Sequence, residues 1–159
     1  MYSRYLTRSS VVPREQSIYV DCPIAGRIAA DVIAGRDSRF RGSQGTSIII
    51  GLFGASAAWT GVSEKTLKRI GDTDFEKIYL YPNSHAGYCP GAKPIAMKII
   101  FRKSDGRLLG AQTLGEDGVD KRISTVAMAI QMRATIYDLE EAELCYASLP
   151  ARNSSPLLA

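Results

Sequence analysis

The sequence of 159 residues has few of the side chains that build metal sites or disulfide-stapled folds. It contains one histidine, His85, so a histidine-rich metal site is excluded. Its three cysteines are odd in number and show no CxxC spacing, which indicates neither a disulfide scaffold nor a zinc site. Cys22 and Cys145 are interpreted as small buried hydrophobic side chains. We therefore predict no metal-binding residues in this chain.

The sequence also lacks long apolar runs and a strong charge of either sign. No apolar stretch reaches the roughly 18 residues that cross a bilayer, and the first residues carry charge without the apolar centre of a secretory signal. These absences predict a cytoplasmic chain with no membrane partner. The formal net charge is +4, and no basic motif interleaved with aromatics indicates a nucleic-acid partner. Many of the positive charges come early, at Arg4, Arg8, Arg14, Arg27, Arg36, Arg39 and Arg41.

Nucleotide-binding and hydrolase motifs are absent as well. The sequence has no GxGxxG, no P-loop, no HExxH and no GxSxG. The stretch "GLFGAS" has its glycines at the wrong spacing for a phosphate loop and lies in a strand pattern. We therefore predict no cofactor-binding residues in the chain itself.

Composition and periodicity divide the chain into segments. Residues 1–24 are interpreted as a basic, loosely ordered leader, residues 25–44 as a helix and linker, residues 45–147 as the main domain, and residues 148–159 as a tail. Strand-like and helical patterns follow one another in mixed order, without a βαβ rhythm. This order predicts an α+β domain with a mostly antiparallel sheet.

Within the main domain, the hydrophobic pattern predicts individual elements. The apolar segment 46–61, bounded by glycines, is interpreted as one buried strand. A hairpin is predicted to turn at Ser104-Asp105-Gly106. Apolar stripes and capping residues predict three helices, over residues 63–71, 118–134 and 135–144.

The stretch "NSHAGYCPGA", residues 83–92, gathers reactive side chains in one loop. It holds His85, Tyr88 and Cys89. The four-residue spacing would bring His85 and Cys89 together on a helix, but the glycine between them and the following proline break any helix there. A Cys–His catalytic pair is therefore disfavoured, and an enzyme that uses Cys89 as a peroxidatic or persulfide-carrying thiol is kept as an alternative. His85 is expected to pin the loop by hydrogen bonding.

Four motifs in the chain resemble one known family. They are "TGVSEKTLK", "HAGYCPGA", "GRLLGAQTLGEDGVDKRI" and "YDLEEAEL". Together they resemble the C-terminal dimerisation domain of the pyridine nucleotide-disulfide oxidoreductases, in the branch of coenzyme A disulfide reductase, NADH oxidase and persulfide reductase. The resemblance runs from about Gly26 to Ala147. It implies that helices cover one face of the sheet, that residues 25–44 lead in from the FAD-domain side, and that residues 45–147 form the dimerisation domain.

The resemblance also implies a set of functional residues. Full-length members of the family carry FAD and NAD(P)H on other domains, form homodimers, and place two tyrosines of this domain beside the partner subunit's active site. Those tyrosines correspond to Tyr88 and Tyr146, whose O–H groups would donate to a thiolate or sulfenate. Where the family usually has two adjacent tyrosines, this chain has Tyr88-Cys89.

The implied role is a dimerisation domain, either a fragment or stand-alone. It would form the homodimer and offer its tyrosines in trans, with flavoprotein domains as partners and no turnover from this chain alone. The alternative is a stand-alone module that binds coenzyme A or a flavoprotein partner, with phosphate contacts from the basic leader and linker.

Overall fold

The structure is a computed structural model that describes residues 6–7, 10–11, 18–38 and 48–145. The chain divides into two compact units, Met1–Thr46 and Ser47–Ala159. Within the described ranges, no helix is long and apolar enough to span a bilayer.

The first unit contains one helix and a short strand pair. Strands β1 (Leu6–Thr7) and β2 (Ser10–Val11) pair antiparallel. Helix α1 (Ile18–Ile33) begins inside the segment interpreted as the leader. Gly35 ends this helix because it adopts a φ of 75°, a left-handed conformation that costs glycine little.

The second unit is built on a five-stranded sheet. Its elements are β3 (Ile48–Leu52), β4 (Ala55–Gly61), α2 (Glu64–Arg69), β5 (Phe75–Leu80), β6 (Ile95–Arg102), β7 (Leu108–Gly115), α3 (Val119–Gln131) and α4 (Ile136–Glu140). The strands lie in the order β3-β4-β7-β6-β5, and every pairing among the described residues is antiparallel. The predicted α+β class with an antiparallel sheet is confirmed.

The segment predicted as one buried strand is two strands, so that prediction was wrong. β3 and β4 form a hairpin in which Leu52 pairs with Ala55. The two turn residues, Phe53 and Gly54, have φ values of 52° and 80°. Positive φ at both central residues is the signature of a two-residue hairpin turn. The sequence hides this turn because a bulky phenylalanine occupies its first central position.

The hydrophobic core lies between α3 and one face of the sheet. Alternate residues of β6 point to this face, because strand side chains alternate with a period of two. The helix contributes residues spaced by three and four positions, which is its apolar stripe. The buried cluster comprises Ala58, Ile95, Met97, Ile99, Leu108, Ala111, Val119, Ile123, Val126 and Ile130.

Two local predictions about turns and caps are confirmed. The β6–β7 hairpin closes where the Gly106 N–H donates to the Arg102 carbonyl at 3.0 Å. Thr135 caps α4: its hydroxyl accepts from the Asp138 N–H at 3.2 Å, and the Asp138 carboxylate accepts from the Thr135 N–H at 2.6 Å. The hydrogen bonds from Thr135 lower the pKa of Asp138.

α4 ends at Glu140, four residues earlier than the pattern predicts. The residues that follow it lie outside the core, and Cys145 is exposed. The interpretation of Cys145 as a buried side chain was therefore wrong. The acidic run after the capped turn carries no apolar stripe that would hold a longer helix against the sheet.

The end of β4 lies at very short range from β7, where Gly61 pairs with Gly110. The Val62 N–H donates to the Leu109 carbonyl at 2.9 Å. A Cβ at Gly110 would lie 2.2 Å from the Val62 carbonyl oxygen, and one at Gly61 would lie 2.3 Å from the Leu109 oxygen. Only glycine fits at these two positions, and this close approach sets the path from β4 into α2.

Candidate functional site

The loop between β5 and β6 is held at its base by backbone hydrogen bonds. The Ile95 N–H donates to the Pro82 carbonyl at 2.8 Å, and the Ser84 N–H donates to the Lys93 carbonyl at 2.8 Å. Asn83 and Pro94 form an isolated bridge between these two contacts. The two ends of the loop are thus tied together, although the sequence between them has no regular structure.

The same loop is also tied to the start of α3. The Arg122 guanidinium donates to the Asn83 carbonyl at 3.0 Å. Gly118, the residue before the helix, lies so close that an added Cβ would meet Ser84 at 3.4 Å. Lys93 and Glu116 form an exposed ion pair at 3.2 Å. The long helix therefore fixes where the loop stands.

His85 contributes a side-chain contact inside the loop. Its Nδ1 lies 3.1 Å from the Ser84 hydroxyl, which in turn accepts from the Lys93 N–H at 3.1 Å. The prediction that His85 pins the loop by hydrogen bonding is confirmed. His85 Nε2 is buried and has no hydrogen-bond partner among the described residues.

The two neighbours Tyr88 and Cys89 have opposite environments. The Tyr88 side chain projects from the loop and is 68% exposed, whereas Cys89 is 9% exposed and its N–H donates to the Ala86 carbonyl at 2.9 Å. A reactive thiol needs access to its substrate as well as a lowered pKa. The environment of Cys89 therefore does not favour a peroxidatic or persulfide-carrying role. Tyr146, the second tyrosine singled out from the sequence, lies outside the described residues.

A charged cluster that the sequence analysis did not single out lies on the sheet face opposite the core. The Glu64 carboxylate accepts from Lys68 and Lys77 at 2.8 Å each, and from Lys98 at 2.5 Å. These hydrogen bonds, that from Lys68 first, hold the pKa of Glu64 well below its usual range. The bond to Glu64 in turn raises the pKa of Lys77. The four-residue spacing of Glu64 and Lys68 is typical of an ion pair on one helix, so this part of the cluster could be predicted from the sequence.

The described residues contain no group of three or more histidine, cysteine, aspartate or glutamate side chains that could hold a metal ion. Nor do the glycines of "GLFGAS" form a phosphate loop. They lie in and beside the β3–β4 hairpin turn rather than between a strand and a helix.

Comparison with known proteins identifies the domain. Residues 50–150 match the family described as "Pyridine nucleotide-disulphide oxidoreductase, dimerisation domain". The coenzyme A disulfide reductase of Staphylococcus epidermidis is 34% identical over 121 residues, which is 76% of this chain and 27% of that protein. The coenzyme A disulfide reductase of Staphylococcus aureus is 34% identical over 124 residues, 77% of this chain and 27% of the relative.

Solved structures give the same result. The reduced CoADR-RHD of Bacillus anthracis is similar with a TM-score of 0.77 and 40% identity, over 87% of this chain and 24% of that one. An NAD-dependent persulfide reductase from A. fulgidus has a TM-score of 0.72 and 34% identity, over 77% of this chain and 22% of that one. This chain thus spans about a quarter of the length of these relatives. The resemblance inferred from the four motifs is confirmed, and the chain belongs to the pyridine nucleotide-disulphide oxidoreductase family through its dimerisation domain.

Proposed function

We propose that this chain is the dimerisation domain of an FAD- and NAD(P)H-dependent disulfide reductase or NADH oxidase-like protein, either as a fragment or stand-alone. It forms the homodimer and offers Tyr88 and Tyr146 in trans to a partner active site. The observation that carries this proposal is the position of Tyr88. Its phenol is exposed on a loop whose base is fixed by the sheet and by α3.

The exposed side of α3 is the surface on which we place the second copy. Met128 on this helix and Met132, the residue that caps its end, are one turn apart and are both exposed, as is Tyr137 at the start of α4. Arg122, on the same helix, holds the Tyr88 loop. The loop that carries Tyr88 therefore has a fixed position relative to the helix on which we place the partner.

A phenol suits the chemistry proposed for it. Its O–H group is a hydrogen-bond donor and stays protonated near pH 7. It can therefore donate to a thiolate or sulfenate that develops on a partner's redox cysteine, and charge-assisted hydrogen bonds of this kind are stronger than neutral ones. In the full-length family, FAD and NAD(P)H bound to other domains would carry the electrons. This chain alone is not expected to turn over.

A chimera tests the proposal. Residues 48–159 of this chain replace the matching segment of the S. epidermidis coenzyme A disulfide reductase, which is 34% identical over the aligned region. We expect Tyr88→Phe or Tyr146→Phe to lower kcat with coenzyme A disulfide by roughly 10- to 100-fold, which corresponds to the loss of one hydrogen bond to a charged group.

Tyr81→Phe is the matched control, because Tyr81 is similarly exposed but lies before the hydrogen-bonded base of the loop at Pro82. It should leave kcat unchanged. FAD content and the circular dichroism spectrum establish that each chimera is folded. A folded chimera whose kcat is the same with Tyr88 and with Phe at that position would refute the role in trans.

A further inference from the structure

The cluster around Glu64 brings together side chains from four elements. Tyr79, Lys98 and Gln112 occupy paired positions on β5, β6 and β7 and so share one face of the sheet. Lys77 lies two residues before Tyr79 and therefore faces the same way. α2 adds Glu64 and, one turn later, Lys68.

Positive charge is in excess in this cluster. Lys68, Lys77 and Lys98 all donate to the one carboxylate of Glu64. Among the described residues, no other carboxylate lies within 4.0 Å of these three ammonium groups. A lysine ammonium has three N–H donors. Each ammonium therefore keeps donors that Glu64 does not use.

Lys98 of β6 is held in place more firmly than a surface lysine. The side chains of Lys98 and Glu64 are each only 16% exposed, and the Lys98 ammonium lies 5.7 Å from the centre of the Tyr79 ring. Contacts of this cation–π type fix an ammonium group over an aromatic face. The cluster is thus preorganised, so that binding a ligand there would cost little ordering of side chains.

A shallow pocket of about 620 Å³, open to solvent, lies beside the cluster. All of its lining residues carry charged or polar groups, and three of them are lysines. The lining residues are Ser63, Glu64, Lys65, Lys68, Lys98 and Gln112.

We propose that this pocket is a binding site for a small oxyanion that carries at least two negative charges, of the diphosphate type. The ammonium groups of Lys68 and Lys98 provide the charge, and the Gln112 amide provides a neutral donor. Lysine is a common ligand for phosphate groups, acting as a compact point charge. The site is separate from the Tyr88 loop and does not depend on the role proposed for that tyrosine.

Calorimetry on the full chain tests the site, with pyrophosphate as the probe and with ionic strength held constant. We expect saturable binding of one pyrophosphate per chain, and a loss of about tenfold in affinity for Lys68→Ala, which corresponds to one lost charged contact. Lys103→Ala is the matched control, since it removes the same charge from a lysine that pairs with Glu76 outside the cluster. The affinity of this control for pyrophosphate should stay within about twofold of that of the unmodified chain, because exposed distant charges are screened by salt.

Two further arms make the result decisive. ADP in place of pyrophosphate distinguishes a nucleotide diphosphate from a free one: tighter binding of ADP assigns the site to nucleotides, and tighter binding of pyrophosphate assigns it to the free anion. Glu64→Gln removes the internal negative charge that competes for the lysines but keeps an oxygen that accepts from them, so pyrophosphate should bind more tightly to this variant. The absence of saturable binding to the unmodified chain, or an equal loss for Lys68→Ala and Lys103→Ala, would overturn the proposal.

Discussion

Lys98 of β6 donates a hydrogen bond of 2.5 Å to Glu64 of α2, across 34 residues of sequence. Lys98 lies within the apolar part of β6, where a largely buried ammonium group needs a counter-charge. Glu64 provides that charge and also binds Lys77 of the neighbouring strand. The carboxylate therefore fastens α2 to two strands of the sheet.

This bond predicts a pH dependence of stability. The folded-state pKa of Glu64 is lowered by its three lysine partners, so the unfolded chain takes up a proton at a higher pH than the folded chain does. The stabilisation is fully present above the unfolded pKa of about 4.3 and is lost as pH falls through the lowered folded pKa. Urea unfolding between about pH 6 and pH 3 measures it. The stability gap between the unmodified chain and Glu64→Gln should shrink as the pH falls; a constant gap would contradict the assignment.

The close approach of Val62, which follows β4, to Gly110 predicts a large effect of one added methyl group on stability. Gly110→Ala places a Cβ 2.2 Å from the Val62 carbonyl oxygen, which is backbone and cannot move aside. We expect a loss of about 2–3 kcal/mol in the free energy of unfolding, as for other overpacked sites. Gly51→Ala is the control, because nothing lies within 4 Å of its added Cβ. Its effect should stay within about 0.5 kcal/mol, and equal effects of the two variants would contradict the close approach at Gly110.

The core between α3 and the sheet predicts the cost of a cavity. Ile123 is fully buried in the cluster that joins the helix to β4, β6 and β7. Ile123→Ala should lower the free energy of unfolding by about 2–5 kcal/mol, since it removes buried atoms and leaves a void. Lys121→Ala, two residues earlier on the exposed side of the helix, should change it by less than about 0.5 kcal/mol. Chemical denaturation followed by circular dichroism distinguishes the two outcomes.

The capping box of α4 predicts a smaller loss. Thr135→Ala removes the hydroxyl that accepts from the Asp138 N–H and donates to its carboxylate. We expect a cost of about 1 kcal/mol, the usual value for a lost helix N-cap. Thr125→Ala serves as the comparison, because that hydroxyl donates to a carbonyl within the exposed face of α3 and caps no helix. A smaller effect at Thr135 than at Thr125 would show that the box does not hold α4.

Features set by neighbouring residues could be predicted from the sequence. The hairpin turn at Ser104-Asp105-Gly106 and the caps at Ser63 and Thr135 depend on side chains that bond to their own backbone within a few positions. The main helix was predictable because its apolar stripe is long and regular. The β3–β4 turn was not, since it begins at a phenylalanine in the left-handed region, and no composition signal marks such a turn.

The Tyr88 loop and the Glu64 cluster could likewise be predicted only in part from the sequence. The sequence identifies the loop of Tyr88 as unusual, and the resemblance assigns that tyrosine a role, but only the structure shows its exposure beside a buried Cys89. The tie between Glu64 and Lys98 joins distant segments, and a single sequence contains no signal for such a pairing. A lysine within the apolar run "IAMKIIF" indicates that some partner is needed without indicating which one.

Sedimentation equilibrium of the full chain tests the formation of a homodimer most directly. We predict a species with twice the mass of one chain at micromolar concentration. Met128→Glu should convert it to a single chain, because it buries a charge in the interface proposed on α3. Lys65→Glu, an exposed position on α2 at the opposite face of the sheet, should leave the dimer intact. A single chain at high micromolar concentration in the unmodified protein would contradict the proposed function.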